Sequence, residues 1–578
     1  MIDFSSLQGN TLWERWQYFA QTTPEKEAII HYRATEEPIR ITYASLLETA
    51  NKFSLYLKNI GVKKGDVCAI IIRHNPFFYP FYLGITGIGA LPSVLAYPNP
   101  RLHPDKFRQG LSGMAQRSGL DWIFTETDLE EIIEPFVEDK ATTVNELFFP
   151  LEWDLNRKIS DEAIQELNDI RANIKCNEPM LLQHSSGTTG LQKPVVLSHS
   201  AILSHVENYG KSIKLSENDK IVSWLPLYHD MGLIAAYHVA LASGVTTIQI
   251  DPFEWVLAPI LLFMAASEER ATLTWLPNFA YNLMADKLSK EEMEDVSLES
   301  LRMIINCSEP VRTESHNKFY NRFKEFGLQE SALGAMYAMA ETTLTVTQTE
   351  VGKRATEVSI DREVLSNGKV VLTNDERKMR ICVSSGKLID ECELKIVDEY
   401  RNEVAEDGSG EIAVKSISMF SGYRNYPEKT AEVLDDEGWY YTGDIGFIYN
   451  NELYVIGRKK DVIIVAGNNI YPEDVEDIVS KVKNVLPGRV IAFGEDDAEL
   501  GTEQVSVVAE TDLEAEDELN KLRLEILRAG MSINVNINEV YLAPPRWLIK
   551  SSSGKPSRKA NRERLKNKND EQVWSRKW

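Results

Sequence analysis

The chain has 578 residues, long enough for three or four structural units of about 100–200 residues each and for a large buried core. Its 43% hydrophobic and 26% charged residues are typical of a globular protein and exclude a fibrous or disordered one. The 63 Lys and Arg residues against 87 Asp and Glu residues give a net charge of −24. Nucleic acid and anionic membranes are therefore not expected as partners.

Cysteine usage indicates a reducing compartment. The five cysteines are an odd number without close spacing, which argues against a disulfide framework and against a cysteine zinc site. The first residues, 1–6, lack the basic and apolar regions of a signal peptide. We therefore expect a cytoplasmic protein. The long uncharged stretches 75–100 and 231–250 are interpreted as buried α/β elements rather than membrane spans, so an integral membrane protein is not expected.

The N-terminal half alternates helical and strand patterns. Residues 43–57 are predicted to form an amphipathic helix, because Leu46, Leu47, Ala50 and Phe53 share one face. A glycine turn follows, and residues 67–72 are then predicted to form a continuous apolar strand. The same strand pattern recurs at 220–224, 246–250 and 302–306. This succession predicts an α/β fold with mainly parallel sheets covered by helices on both faces.

After about residue 350 the pattern changes to short strands separated by glycines and charged turns. Strands are predicted at 370–372, 393–397, 411–414 and 453–456, so residues 350–459 are interpreted as a β-rich subdomain of a large domain, 1–459. A boundary is predicted near Gly457-Arg458-Lys459-Lys460. Residues 460–578 are predicted to form a small α+β domain, with a helix that begins at Pro472 and places Val475, Ile478, Val479 and Val482 on one face.

Positive charge is concentrated at the end of the chain. Residues 546–578 contain eleven Lys or Arg and three Asp or Glu, a net charge of +8 that leaves −32 for the rest. Charge alone leaves two interpretations open, a solvated basic tail or a segment that meets an anion.

The strongest local motif is Ser185-Ser186-Gly187-Thr188-Thr189-Gly190-Leu191-Gln192-Lys193. It lies between predicted strands at 180–183 and 195–197. Glycines allow a tight turn that exposes backbone amides, and hydroxyls and a lysine add donors, which suits a polyphosphate. It is not a Walker A loop, since no Gly-Lys precedes Ser or Thr with the required spacing. Taken by itself, such a loop is equally compatible with a structural turn.

Six further motifs follow in order. They are Trp224-Leu225-Pro226-Leu227-Tyr228-His229-Asp230-Met231-Gly232, Asn306-Cys307-Ser308-Glu309-Pro310-Val311, Met336-Tyr337-Ala338-Met339-Ala340-Glu341-Thr342-Thr343, Gly438-Trp439-Tyr440-Tyr441-Thr442-Gly443-Asp444, Gly457-Arg458-Lys459-Lys460-Asp461 and Ser551-Ser552-Ser553-Gly554-Lys555. With the loop, the set resembles the adenylate-forming superfamily over essentially the whole chain. Within this superfamily, the amino-acid sequences around His229 and Glu309 are most similar to those of the fatty acyl-AMP ligases.

The resemblance implies ATP and Mg²⁺ as cofactors. Ser185, Ser186, Gly187, Thr188, Thr189, Gly190 and Lys193 would hold the β and γ phosphates. Glu341 would be catalytic and ligate Mg²⁺, with Ala340 and Thr342 beside it in the nucleotide site. The alternative for Glu341 is an exposed surface acid, made less attractive by its apolar neighbours.

The remaining site residues are also implied by the resemblance. Asp444 would bind the ribose hydroxyls with Arg458 nearby, Tyr337 and the backbone of Ser308, Glu309 and Pro310 would enclose the adenine, and Lys555 would be the catalytic lysine of the small domain. His229 would act near the acyl and metal sites, and Lys460 would be the hinge. The alternatives are a common turn for Asp444, a solvated lysine for Lys555 and a structural histidine for His229.

Two positions depart from the family pattern. The loop reads Gln192-Lys193-Pro194 where Pro-Lys-Gly is usual, which affects the placement of Lys193, and Tyr337 is followed by Ala338 where glycine is usual. A methyl group at 338 would narrow the nucleotide site slightly. Neither change removes a reacting group.

The last two expectations concern the acid substrate and the acyl acceptor. Trp224, Met231, Trp275, Phe279 and Met284 are predicted to line an apolar acyl pocket for a fatty acid. Residues 358–382 are interpreted as the insertion of the fatty acyl-AMP ligases, with the apolar anchors Ile360, Val364, Leu365, Val370, Val371 and Leu372, or else as an ordinary loop. The leading hypothesis is acyl transfer to an acyl carrier protein. An acyl-CoA synthetase and a nucleotide-binding protein without turnover are the alternatives.

Overall fold

The structure is a computed structural model that describes residues 1–98, 104–139, 142–184, 192–465, 468–497, 502–550, 556–566 and 573–575. Within these ranges no helix combines the length and the apolar composition that a membrane crossing requires. None of the five cysteines, all of which are described, forms a disulfide.

Helices and strands alternate along most of the chain. The helices are α1 (Leu12–Thr22), α2 (Tyr43–Asn59), α3 (Phe78–Thr86), α4 (Pro104–Ser118), α5 (Glu130–Val137), α6 (Asp161–Arg171), α7 (His199–Ser212), α8 (Val239–Ala242), α9 (Pro252–Leu257), α10 (Leu261–Glu268), α11 (Asn278–Lys287), α12 (Thr313–Phe323), α13 (Arg362–Ser366), α14 (Pro427–Val433), α15 (Pro472–Ser480), α16 (Glu516–Ser532) and α17 (Arg558–Lys566).

The strands are β1 (Glu27–Tyr32), β2 (Ile39–Thr42), β3 (Val67–Ile71), β4 (Leu91–Val94), β5 (Trp122–Thr125), β6 (Glu146–Phe148), β7 (Pro179–His184), β8 (Pro194–Ser198), β9 (Lys220–Ser223), β10 (Thr246–Ile250), β11 (Leu273–Pro277), β12 (Met303–Cys307), β13 (Leu333–Ala338), β14 (Thr345–Gln348), β15 (Glu357–Asp361), β16 (Met379–Val383), β17 (Lys387–Leu388), β18 (Cys392–Val397), β19 (Gly410–Ser416), β20 (Tyr440–Tyr449), β21 (Glu452–Arg458), β22 (Ile463–Val465), β23 (Asn468–Ile470), β24 (Val490–Asp497), β25 (Thr502–Glu510), β26 (Ile537–Ala543) and β27 (Trp574–Ser575).

A nine-stranded sheet forms the centre of the large domain. Its order is β17-β14-β13-β12-β11-β9-β10-β1-β2, and the pairings from β13 through β1 are parallel. A second sheet, β4-β3-β5-β6, is parallel throughout. Strands β3, β9 and β12 are buried almost along their whole length, as expected for parallel strands with both faces covered. The predicted α/β fold is confirmed.

Helix α2 shows why local patterns succeeded here. Thr42 caps it, because its hydroxyl accepts a hydrogen bond from the backbone amide of Ser45 at 3.2 Å. Leu46, Ala50 and Phe53 are buried, as their shared face predicted. Strand β10 has the predicted bounds, and β3, β9 and β12 differ from the predictions by one or two residues at their ends.

Strands β18, β19, β20 and β21 form an antiparallel meander. The prediction of a strand at 370–372 was wrong: only an isolated bridge joins Leu372 to Ile360, and Val371 and Leu372 are about half exposed. Strands β15 and β16 instead pair over Glu357–Asp361 and Met379–Val383. We call these strands and their connecting segment the 357–383 hairpin.

The last part of the chain forms a four-stranded sheet, β24-β25-β26-β27. Its core is a separate cluster in which Val475 and Val479 of α15 pack with Val505, Val507 and Ile526. Helix α15 begins at Pro472 as predicted. The domain boundary at 459–460 and the assignment of 358–382 as an insertion stay predictions.

Candidate active site

Three predicted motifs follow three strands of the nine-stranded sheet. The His229 segment follows β9, the Ser308 segment follows β12, and the Glu341 turn follows β13. Strands β9, β11, β12 and β13 are successive parallel neighbours, so the carboxyl ends of these strands meet at one edge of the sheet. Ligands in open α/β sheets bind at this edge.

Glu341 lies in a 3₁₀ turn, Ala340–Thr342, and is only 6% exposed. Its Oε1 accepts a hydrogen bond from the Tyr423 hydroxyl at 2.6 Å, and its backbone carbonyl accepts one from the Phe420 amide. It forms no ion pair with any residue in the described ranges. The Thr342 hydroxyl donates within the turn, to Met339 and Leu344 carbonyls, so it stabilises the turn rather than facing outwards. Ala340 is buried.

Lys193 lies beside this carboxylate. Its Nζ is 3.3 Å from the Tyr423 hydroxyl and 4.6 Å from the centre of the Tyr423 ring. Backbone pairing explains the approach, because the Ser421 amide donates to Val196 and the Arg424 amide donates to Pro194. Residues 421–424 thus run along β8, the strand after the predicted phosphate loop.

The predicted loop residues Ser185, Ser186, Gly187, Thr188, Thr189 and Gly190 lie outside the described residues, as does Lys555. The strand before the loop is described. His184 at the end of β7 is held between the hydroxyls of Ser118, at 2.9 Å, and Ser93, at 3.3 Å. Gln183 donates from Nε2 to the carbonyl of Tyr228 at 3.0 Å, which ties the base of the loop to the His229 segment.

Asp444 accepts hydrogen bonds from two predicted site residues. The Tyr337 hydroxyl donates to Oδ2 at 2.7 Å, and Arg458 Nε lies 3.1 Å from Oδ1. Arg458 is the register partner of Asp444 in the meander. Gly443, before it, has φ +72°, a conformation that favours glycine. Burial and then the Asp444 charge raise the pKa of Tyr337, so its hydroxyl stays protonated.

Positive charge gathers at the same place. The Asp444 charge raises the pKa of Arg458 although burial opposes it. Part of the Lys460 side chain is exposed. Desolvation of its ammonium group nevertheless lowers the pKa of Lys460, and the positive charges of Arg458 and Lys193 lower it further. Three cations from two motifs, Lys193 from the loop motif and Arg458 and Lys460 from the 457–461 motif, therefore face a common region, an arrangement suited to an anionic ligand.

His229 is oriented by its neighbour. Its Nδ1 lies 2.7 Å from Asp230 Oδ1, and Asp230 also accepts from the Met231 amide at the start of a π-helical segment, Met231–His238. Gly232 is required here, because a Cβ atom would lie 2.3 Å from the Pro226 carbonyl oxygen. Met231 Sδ contacts Ser308 Oγ at 3.6 Å.

The adenine-site prediction falls on a strained segment. Ser308 has φ +73°, unusual for a residue with a side chain. Glu309 Oε2 accepts a hydrogen bond from the Phe279 amide at 3.0 Å, and Pro310 is exposed. The structure thus connects the Ser308 segment to α11.

Two of the five predicted pocket residues, Trp224 and Phe279, belong to one aromatic group. Trp224 stacks on Trp255 at 3.6 Å, and Phe279 meets both rings edge-on. Trp275 instead donates from Nε1 to the Tyr209 hydroxyl, and it and Met284 are fully buried. A cavity of about 60 Å³ near the site is lined by Leu225, Leu227 and Tyr228, and none of the five predicted residues lines it. Their role in acyl binding stays a prediction.

Comparison with known proteins agrees with the geometry. The model of the AMP-binding enzyme family matches residues 16–424. This chain belongs to the AMP-binding enzymes. A probable long-chain-fatty-acid–AMP ligase, FadD30 of Mycobacterium tuberculosis, is 28% identical over 577 residues, covering 94% of this chain and 95% of the relative. A medium-chain-fatty-acid–[acyl-carrier-protein] ligase, JamA of Moorena producens, is 27% identical over 82% of this chain and 81% of its own.

Solved structures support the same membership. A fatty acyl-adenylate ligase from L. pneumophila, in complex with acyl adenylate and pyrophosphate, superposes with a TM-score of 0.73 at 27% identity, over 98% of each chain. This AMP-binding enzyme is thus an adenylate-forming ligase, and use of ATP is typical of its family. The predicted resemblance is confirmed.

Two residues that the sequence analysis missed contact the predicted site residues of this AMP-binding enzyme. Tyr423 lies outside all seven motifs, and Tyr440 lies within one but was given no role. Their hydroxyls are 3.3 Å apart, which connects Glu341 to the strand that bears Asp444. No local pattern signals Tyr423, because its partners are 82 and 230 residues away.

Proposed function

We propose that the protein is a fatty acyl-AMP ligase. It activates a fatty acid with ATP and Mg²⁺ to an acyl-adenylate and releases pyrophosphate. The phosphopantetheine thiol of an acyl carrier protein then takes the acyl group as a thioester, and AMP leaves. The observation that carries the proposal is the link from Glu341 through Tyr423 and Tyr440 to the strand of Asp444. This link joins the Glu341 carboxylate, which suits a hard cation such as Mg²⁺, to the strand of the Asp444 carboxylate, which suits the hydroxyl groups of a ribose.

In the activation step an oxygen of the fatty acid carboxylate attacks the α-phosphorus of ATP. A phosphorus–oxygen bond forms, the bond to pyrophosphate breaks, and pyrophosphate leaves with the electron pair. Cations that face the developing charge lower the barrier. We assign this role to Lys193, on the β and γ phosphates, and to Lys555, on the carboxylate and α-phosphate.

Glu341 fits a Mg²⁺ ligand. It is buried, its Oε1 accepts a hydrogen bond from Tyr423, and it carries no ion pair with a described residue. Mg²⁺ is usually held by one or two carboxylates together with phosphate oxygens and water. When bound, the ion would neutralise phosphate charge. Asp444, oriented by Tyr337 and Arg458, would accept hydrogen bonds from the ribose.

An apolar acid is the substrate best supported. The aromatic group of Trp224, Trp255 and Phe279 next to the His229 segment offers apolar surface, and the neighbouring Glu309 carboxylate accepts a hydrogen bond from the Phe279 amide. The names of the two relatives, covering 82–94% of this chain, agree with a fatty acid.

The carrier protein is favoured as acceptor over CoA by a contact of the 357–383 hairpin. Arg380 Nη2 on β16 lies 3.1 Å from Asp474 Oδ1 on α15, and its guanidinium stacks over Tyr471 at 5.0 Å. Ile360 and Leu365 of the hairpin pack with Phe447, Tyr454 and Tyr471. The hairpin therefore holds residues on both sides of the Lys460 hinge, and we infer that it restrains rotation of the small domain.

Pyrophosphate release and product analysis test the proposal. Dodecanoate and ATP are incubated with the enzyme alone, with CoA, and with a phosphopantetheine-bearing carrier protein. We expect pyrophosphate in each case, an acyl thioester on the carrier protein, and no acyl-CoA. Acyl-CoA as the main thioester would instead identify an acyl-CoA synthetase. No pyrophosphate with any fatty acid would refute fatty acid activation.

A further inference from the structure

Tyr423 touches three motifs at once. It is 4% exposed, and its hydroxyl lies 2.6 Å from Glu341 Oε1, 3.3 Å from the Tyr440 hydroxyl and 3.3 Å from Lys193 Nζ. These partners come from the Glu341 turn, the Asp444 strand and the phosphate loop. One side chain therefore connects the three groups to which we assign metal, ribose and phosphate binding.

The direction of the hydrogen bonds follows from their chemistry. A phenol has one proton to donate and lone pairs to accept with. The carboxylate of Glu341 cannot donate when ionised, and the ammonium of Lys193 cannot accept, so Tyr423 donates to Glu341 and accepts from Lys193. Bonds to charged groups are the shorter and stronger kind. Burial and the Glu341 charge raise the pKa of Tyr423, so the proton stays available.

The ring is held as firmly as the hydroxyl. Tyr423 forms a bridge with Val195 on β8, and its backbone amide donates a hydrogen bond to the Thr430 hydroxyl at 3.0 Å. The Phe420 ring packs against the Tyr423 ring, with 5.0 Å between the ring centres. These contacts hold the hydroxyl between β8 and the Glu341 turn. A rigid donor of this kind fixes the rotamer of the carboxylate that it bonds.

We propose that Tyr423 is a positioning residue that holds the Glu341 carboxylate and the Lys193 ammonium at a fixed separation, so that a metal–polyphosphate binds across them as one unit. This inference rests on the proposed function, since it assumes that the two groups bind metal and phosphate. It predicts that metal and nucleotide bind with coupled affinities, and that the coupling passes through Tyr423.

The first test compares Tyr423→Phe with Tyr426→Phe. The Tyr423 change removes the hydroxyl and keeps the ring. Tyr426, three residues on, is partly buried and its ring is covered by Arg117, so its variant controls for loss of a phenol from the same segment. Binding of a non-hydrolysable ATP analogue is measured by calorimetry across a Mg²⁺ series and with EDTA. Melting temperatures report folding.

We expect Tyr423→Phe to weaken binding of the Mg²⁺–analogue complex by 10–100-fold, as for other residues that orient a metal ligand, and to raise the Mg²⁺ midpoint. Binding of the metal-free analogue should change less than threefold. Tyr426→Phe should match wild type throughout. If Tyr423→Phe keeps the wild-type Mg²⁺ midpoint, or if Tyr426→Phe shows the same loss, the proposal is overturned.

The second test approaches the link from Lys193, which is exposed and whose replacement by methionine is expected to fold even if Tyr423→Phe does not. Lys193→Met should weaken analogue binding and also raise the Mg²⁺ midpoint, because the two sites are coupled. A loss of analogue affinity with an unchanged Mg²⁺ midpoint would overturn the coupling. Both tests use nucleotide alone, so they stay decisive even if no fatty acid proves to be a substrate.

Discussion

Replacing Arg380 by methionine tests the contact between the 357–383 hairpin and α15. The side chains of Arg380 and Asp474 are 11% and 15% exposed, and Arg380 Nη2 also donates to the Ile456 carbonyl at 2.7 Å. Methionine keeps most of the apolar volume and removes the charge. Asp474 is then left as a buried carboxylate without its ion-pair partner, and only the weaker effects of Arg362 and Arg312 still lower its pKa.

The expected cost follows from that burial. Removing one partner of a buried ion pair typically costs about 3–5 kcal/mol, because the other charge stays desolvated. Burial already raises the pKa of Asp474, and Arg380 opposes that rise. Without Arg380 the folded-state pKa rises further above its unfolded value, so the variant's folded state binds the extra proton. The cost of Arg380→Met should therefore shrink as the pH falls through that raised pKa.

Urea unfolding at pH 8 and pH 5.5 measures the difference between variant and wild type. Arg377→Met is the matched control, since Arg377 lies in the same hairpin but its side chain is 94% exposed, and its change should cost less than about 0.5 kcal/mol. Adding Asp474→Asn to Arg380→Met should recover at least about 1 kcal/mol, as expected for coupled partners.

The same variant has a functional readout. If the contact restrains the small domain, Arg380→Met should raise the yield of acyl-CoA relative to pyrophosphate at least tenfold, which corresponds to about 1.4 kcal/mol of the lost contact. A cost of Arg380→Met below about 1 kcal/mol at pH 8, or one equal at both pH values, would refute the reasoning on the buried pair. An unchanged product ratio would refute the restraint.

Three further predictions concern the reacting groups and the core. Lys555→Ala should lower pyrophosphate release at least hundredfold while calorimetric ATP binding changes little, since a cation acting on transition-state charge contributes roughly 3 kcal/mol; a loss below tenfold would remove Lys555 from that role. Glu341→Gln keeps an acceptor for Tyr423 but loses the negative charge, so the Mg²⁺ midpoint of pyrophosphate release should rise, and an unchanged titration would mean that the metal is held elsewhere. Burial lowers the pKa of seven histidines, to about 3 for His31, His205, His238 and His316 and to about 4 for His74, His184 and His199. Because the unfolded chain takes up these protons below pH 6.5, each histidine should remove about 1.4 kcal/mol of stability between pH 7.5 and 5.5, and a melting temperature that stays flat over this range would contradict their burial.

The sequence by itself determined the α/β class, the positions of nine strands such as β3, β9 and β10, and the membership of the AMP-binding enzymes. These properties depend on local patterns: an apolar run such as residues 67–71 forms a buried strand wherever it packs, and a capped amphipathic run such as residues 43–57 forms a helix. The motifs could be recognised because each keeps its chemistry within a few neighbouring residues.

Only the tertiary structure decided which side chains meet. Tyr423 bonds Glu341 across 82 residues, and Arg380 on β16 pairs with Asp474 on α15, yet neither pairing leaves a trace in the periodicity of its own segment. The same reason explains the wrong strand at 370–372. Three apolar residues in a row satisfy a strand pattern, but a strand forms only where a neighbouring backbone offers hydrogen bonds along its length. Residues 370–372 instead form a single bridge, from Leu372 to Ile360.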